Sequence, residues 1–255
     1  MSTSVETGHA KNVATFKDLI STCKGFGKSY KPSNPELTVE SMTQRLVNTQ
    51  VVTQTLIDSK EAYHRATSHR ETLFAKVPAL AARVLGALTS SKIAPQTVDH
   101  ANSVYRKIRG RRAKAVTMPN PATGNGQSAT TEAATPTAKT ISVSQLGFDN
   151  MTAHLTKLVA VAEAEPKYRP NEPELTVETL KVTLAELENA NEAVRTATTA
   201  MNNALTARNQ DLYAHETGLV STAKLVKAYV KSAYGLGTSE HKKISVHQFT
   251  RYKAQ

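Results

Sequence analysis

Six cations crowd the nine positions Arg106-Lys107-Ile108-Arg109-Gly110-Arg111-Arg112-Ala113-Lys114, with Tyr105 just before them. Guanidinium and ammonium groups at this density can neutralise several phosphates, and binding carried by them falls steeply with salt. Gly110 and the single flanking aromatic argue against base-specific readout. The run therefore points to non-specific binding of nucleic acid, or of another anion, through Arg106, Lys107, Arg109, Arg111, Arg112 and Lys114. A membrane surface would draw on the same charge, but the stretch has little of the apolar face that an interfacial helix needs. The structural alternative is a solvated domain end running into a linker.

Other residue sets offer less. Gly25-Phe26-Gly27-Lys28-Ser29 has the ending of a phosphate-binding loop, but Thr22 stands where that loop needs its first Gly, and a helix precedes it instead of a strand. A Gly-rich helix stop explains it better. Glu61 and His64 form an E-x-x-H pair of the kind used by di-iron bundles, which need two such pairs and two further Glu. The matching positions of the second repeat are Thr199 and Asn202, which cannot complete a site. The eight His show no H-x-x-x-H spacing, a single Cys cannot build a zinc site, and no G-x-S-x-G elbow is present. No catalytic residue, metal or cofactor is expected, and no small-molecule substrate is inferred.

The elements that would carry these residues are announced by a repeat. Tyr30-Lys-Pro32-Ser-Asn-Pro35-Glu36-Leu37-Thr38-Val39-Glu40 returns 138 residues later as Tyr168-Arg-Pro170-Asn-Glu-Pro173-Glu174-Leu175-Thr176-Val177-Glu178, identical at eight of eleven positions. Behind each lead-in, large residues recur at alternating spacings of three and four, a heptad-like seam of the coiled-coil kind. One seam runs Val39, Met42, Leu46 onward to Phe74, the other Val177, Leu180, Leu184, Leu187 onward to Leu212. The pattern predicts long helices over Val39–Val77 and Val177–His215, each about 58 Å at ~1.5 Å per residue. Thr38 and Thr176 are the expected N-caps, Glu40 and Glu178 favour the positive helix start, and Pro35 and Pro173 keep the preceding chain out of the helix.

A stripe of small residues, Ala190, Ala193, Ala197, Ala200, Ala204 and Ala207, lies beside the second seam. It is either a close-packing surface or helix filler of high propensity. Shorter helices are expected near His9–Cys23, Ser144–Ala164, Ala79–Ser91 and Leu219–Tyr234. Pro78 should end the first long helix near Lys76 or Val77. The last stretch, Ile244–Phe249, reads as a short extended segment.

The 39% hydrophobic, 5% aromatic composition without Trp suits helix bundles. Net charge is +11, but residues 1–115 hold 18 Lys and Arg against 8 Asp and Glu, whereas residues 142–255 hold 13 against 12. The lone Cys23 excludes an internal disulfide, falls on an apolar face and fits a reducing cytoplasm. No secretory signal or apolar run of transmembrane length is legible.

The expected fold is all-α: a tandem duplication of a three-helix unit, one long and two short helices, forming an elongated helical bundle. Its parts are 1–115, a first repeat with a basic end; 116–141, a flexible Ala/Thr/Pro linker; and 142–255, a second repeat. The expected function is that of a non-enzymatic structural or protein-interaction bundle in the cytoplasm, with a protein partner or self-association. The alternative is non-specific nucleic-acid binding through 106–114.

Overall fold

The computed structural model of the chain describes residues 4–110 and 147–250. The expected linker 116–141 and the basic residues Arg111, Arg112 and Lys114 lie outside them. Every regular element among the described residues is a helix. In order these are α1 (Ser4–Gly25), α2 (Val39–Phe74), α3 (Val77–Ser90), α4 (Pro95–Ile108), α5 (Phe148–Ala164), α6 (Val177–Tyr213), α7 (Leu219–Tyr234) and α8 (Ser239–Ser245).

The repeated lead-in folds alike in both places. Pro35–Leu37 and Pro173–Leu175 each make one 3-10 turn. The Tyr30 hydroxyl donates to the Leu37 carbonyl at 2.8 Å, and Tyr168 does the same to Leu175 at 2.8 Å. Thr38 Oγ1 accepts from the Ser41 amide at 3.2 Å, and Thr176 Oγ1 from the Thr179 amide at 3.3 Å, so both long helices start on a hydroxyl cap. Pro78 sits in the first turn of α3, where its missing N–H costs no helical bond. Between α6 and α7 the chain needs Gly218, because a Cβ there would lie 2.6 Å from the Ala214 backbone.

Burial follows the large seams. Met42, Leu46, Thr49, Leu56 and Phe74 are buried on α2, and Leu180, Leu184, Leu187, Asn191, Val194, Arg208 and Leu212 on α6. Of the small stripe, Ala190 and Ala204 are buried, whereas Ala193, Ala200 and Ala207 face solvent and act as helix filler. The short helices repeat one burial spacing. Asn12, Phe16, Leu19, Ile20 and Cys23 of α1 are matched in step by Met151, Leu155, Leu158, Val159 and Ala162 of α5. Val77, Ala81, Val84 and Leu88 of α3 are matched by Leu219, Ala223, Val226 and Val230 of α7.

The chain divides into two compact units, and the divisions fall inside the long helices, after Ala66 in α2 and after Ala193 in α6. Unit 1 is Met1–Ala66 with Val194–Gln255. Its core joins Phe16, Leu19, Ile20 and Cys23 of α1 to Leu219, Val226 and Val230 of α7 and Ile244 of α8. Unit 2 is Thr67–Ala193. Its core joins Val84 and Leu88 of α3, Val104 and Ile108 of α4, and Leu155, Leu158 and Val159 of α5. Each unit therefore draws helices from both halves of the sequence.

Candidate functional site

The basic run begins in the last turn of α4. That helix is amphipathic, burying Ala101, Val104 and Ile108, so its opposite face turns Arg106 and Lys107 to solvent. Arg109 caps the helix and is exposed, and Gly110 turns the chain with φ of 64°. Cations here also favour the negative end of the helix dipole. The neighbouring α5 adds Lys157. Burial first, then the charges of Lys107 and Lys157, lower the pKa of His154 on α5, which places both ammonium groups within electrostatic reach of one imidazole. Of the six expected binding residues, Arg106, Lys107 and Arg109 are thus accessible on one end of unit 2.

The remaining candidates resolve plainly. Gly25–Ser29 closes α1: the Phe26 amide donates to Cys23 O, the Tyr30 amide to Gly27 O, and the Ser29 hydroxyl to Phe26 O at 2.7 Å. Amides turned back on the chain do not cradle a phosphate. Glu61 and His64 are exposed on α2, as are Thr199 and Asn202 on α6. Among the described residues no group of three His, Cys, Asp or Glu is placed to hold a metal ion. Cys23 is fully buried, and burial pushes its thiol up to about 11 against a lowering hydrogen bond with Tyr30. A window within Val39–Ser90 has the length and mean hydropathy, 1.3, of a membrane span. Of α3 in that stretch, Val77, Ala81, Val84 and Leu88 are spent in the core of unit 2.

Unit 1 holds a polar cluster that sequence reading missed. Asn12 of α1 is fully buried. Its amide donates to the Thr250 carbonyl at 2.9 Å and to the Tyr213 hydroxyl at 3.1 Å, while its Oδ1 accepts from the Thr250 amide at 2.8 Å. The two bonds to Thr250 fix which end of the amide is which. Tyr213 lies 2.7 Å from His9 Nδ1. Burial, then the charge of Arg208, lowers the His9 pKa. Nearby, Thr49 donates to Asp211 at 2.6 Å, and Arg45 donates to the Asp211 carbonyl at 3.1 Å. The only advance signal was polar: Asn12 and His9 sit at the apolar spacing of α1, where α5 has Met151 and Phe148.

The partner of Asn12 belongs to an irregular strap, 246–250, that follows α8. His247 Nε2 meets Thr22 Oγ1 at 2.9 Å, and the Lys227 ammonium donates to the His247 carbonyl. Lys227 also stands 5.7 Å from the centroid of the Phe249 ring. Burial lowers the pKa of Lys227, and burial is the main cause of the lowered pKa of His247, with Asp18 opposing it. Comparisons with protein-family models, with curated proteins and with solved structures find no match for the chain.

Proposed function

We propose that the chain is a non-enzymatic helical scaffold that works by binding protein, including further copies of itself, and that it arose by tandem duplication of a helical unit. The observation that carries the scaffold reading is an apolar face left open on a long helix. Val47 and Val51 lie one turn apart on α2, 45% and 60% exposed. Large aliphatic side chains on a well-capped helix present a surface fit for another helix. The closely matched lead-ins, and the burial spacings shared by α1 with α5 and by α3 with α7, support the duplication. The test is the mass of the full chain against concentration at high salt. Val47→Lys with Val51→Lys is expected to reduce the rise in mass; a rise unchanged in that variant would rule out this face.

A second reading has its own observation. Arg106, Lys107 and Arg109 are exposed, and Lys157 extends the positive surface from α4 to α5. This favours sequence-independent contact with phosphates. Fluorescence anisotropy with labelled DNA across a salt series separates the two readings. Binding that falls steeply with salt, and is lost when Arg106, Lys107, Arg109, Arg111 and Arg112 become Ser, would favour nucleic acid.

A further inference from the structure

The strap 246–250 is bound to unit 1 as a peptide is bound to a receptor. It starts beside Thr22 and ends beside Asn12, so it runs antiparallel to α1. Ten helical residues cover roughly 15 Å, and three strap residues reach roughly 10 Å at full stretch. The strap is therefore close to extended. His247 and Phe249 are partly buried, whereas Val246, Gln248 and Thr250 are exposed, the alternation of a strand lying on a surface. Asn12 bonds both the N–H and the C=O of one residue, as a neighbouring strand would. Lys227 takes another carbonyl and faces the Phe249 ring.

Two features make this a site. The buried amide of Asn12 reads main chain, which any extended segment offers. Its position in α5 is held by Met151, so an apolar residue suits that burial spacing and the polar one is special to unit 1. The outer side of the strap is open: a groove of about 570 Å³, lined by Phe26, Lys242, Lys243 and Val246, runs beside His247.

We infer that this surface of α1 and α7 is a peptide-docking site, and that a second copy of the chain fills it by lending its own His247–Thr250. The inference rests on the self-association reading and adds to it a surface distinct from the α2 face. Every bond the strap makes in its own chain is available between chains, as in domain swapping. The attached strap acts at an effective concentration on the order of millimolar, so exchange becomes appreciable at high protein concentration or when the chain's own strap is weakened.

The test uses the full chain with Thr250→Pro, which removes the amide that Asn12 accepts from. The probe is a fluorescein-labelled peptide of residues 244–255, standing in for the strap of a second copy. Thr250→Pro is expected to bind it about tenfold or more tighter than the unsubstituted chain, whose own strap competes. Adding Asn12→Ala should abolish that gain. Phe249→Ala in the full chain is a second strap-weakened variant, with the same expected gain, if the proline variant loses helicity. In chains that also carry Val47→Lys with Val51→Lys, mixing the Asn12→Ala chain, with a sound strap, and the Thr250→Pro chain, with a sound site, should yield a dimer that neither forms alone. A helical strap variant that binds peptide no better than the unsubstituted chain, or binds equally without Asn12, overturns the site. Peptide binding without a mixed dimer overturns the second copy as its occupant. The two surfaces are told apart by which variant loses the rise in mass: association through the α2 face is lost in Val47→Lys with Val51→Lys and kept in Asn12→Ala, whereas exchange of the strap is lost in Asn12→Ala and kept in the valine pair.

Discussion

Asn12 shows how much one side chain can decide. A buried primary amide is costly unless its donors and acceptor are used, and here three hydrogen bonds use them. Asn12→Ala removes both bonds to the Thr250 main chain and one to the Tyr213 hydroxyl, which keeps its contact with His9. We expect a loss of about 2–4 kcal/mol in urea unfolding, from hydrogen bonds removed with partners left behind. His9, His154 and His247 all have pKa values lowered chiefly by burial. In the unfolded chain each takes up a proton near its ordinary value of 6.5, before the folded form does. Their contribution to stability is therefore complete above about pH 6.5 and is lost as pH falls below it toward the lowered folded values. The melting temperature should be level from pH 8 to 7 and fall between pH 6.5 and 5; a level curve across that span would contradict the assignment. Cys23, fully buried with its thiol pushed up to about 11, should react with a thiol reagent only through opening of unit 1. Labelling in native buffer should be slow and should quicken with urea, whereas immediate labelling would contradict the packing of α1.

At the scale of elements, the lead-in is the most informative piece. Tyr30 and Tyr168 each close a buried bond to a carbonyl seven residues on, just before a capped helix. Replacing either by Phe leaves that carbonyl without its donor and should cost about 1–3 kcal/mol. The two losses should be similar, measured as separate unfolding curves, and a several-fold disparity would mean that the two lead-ins are not equivalent. These elements were legible because they rest on local chemistry: the Thr caps, the prolines and a seam of large residues specify α2 and α6 to within about three residues at their ends. Leu219–Tyr234 was likewise read from its own spacing. α4 was seen only as its basic tail, because just Ala101, Val104 and Ile108 mark its buried face and Pro95 starts it without a hydroxyl cap. Ile244–Phe249 reads from the sequence as extended, but Ile244 and Ser245 close α8 and Val246 turns the chain, so only the residues after it are irregular, and the anchor of that strap was not legible. Asn12 and Thr250 are 238 residues apart, and nothing local to either announces the other.

For the molecule as a whole, the duplication reading led to an expectation of two parts in sequence order, and the compact units are instead each assembled from both halves. Unit 1 pairs α1 with α7 and α8, and unit 2 pairs α5 with α3 and α4. Spacing within a helix says which face is buried but not which helix will cover it, so this exchange was invisible to periodicity. Charge belongs to this scale too. The excess sits in residues 1–115, and in unit 2 its exposed part is at the end of α4. If that end meets phosphates, DNA affinity should fall about 10³-fold or more between 50 and 200 mM salt, the slope set by six or so contacts. Little salt dependence would leave the run as a solvated helix end.

The central claim is that an apolar helix face, not a catalytic pocket, is the working surface. Sedimentation equilibrium of the full chain at high salt, without nucleic acid, tests it most directly. The account predicts a mass that rises above the 27.6 kDa of one chain as concentration increases, and a clearly smaller rise when Val47 and Val51 are both changed to Lys. A mass fixed at one chain at every concentration, with DNA binding that disappears when the basic run is removed, would contradict it.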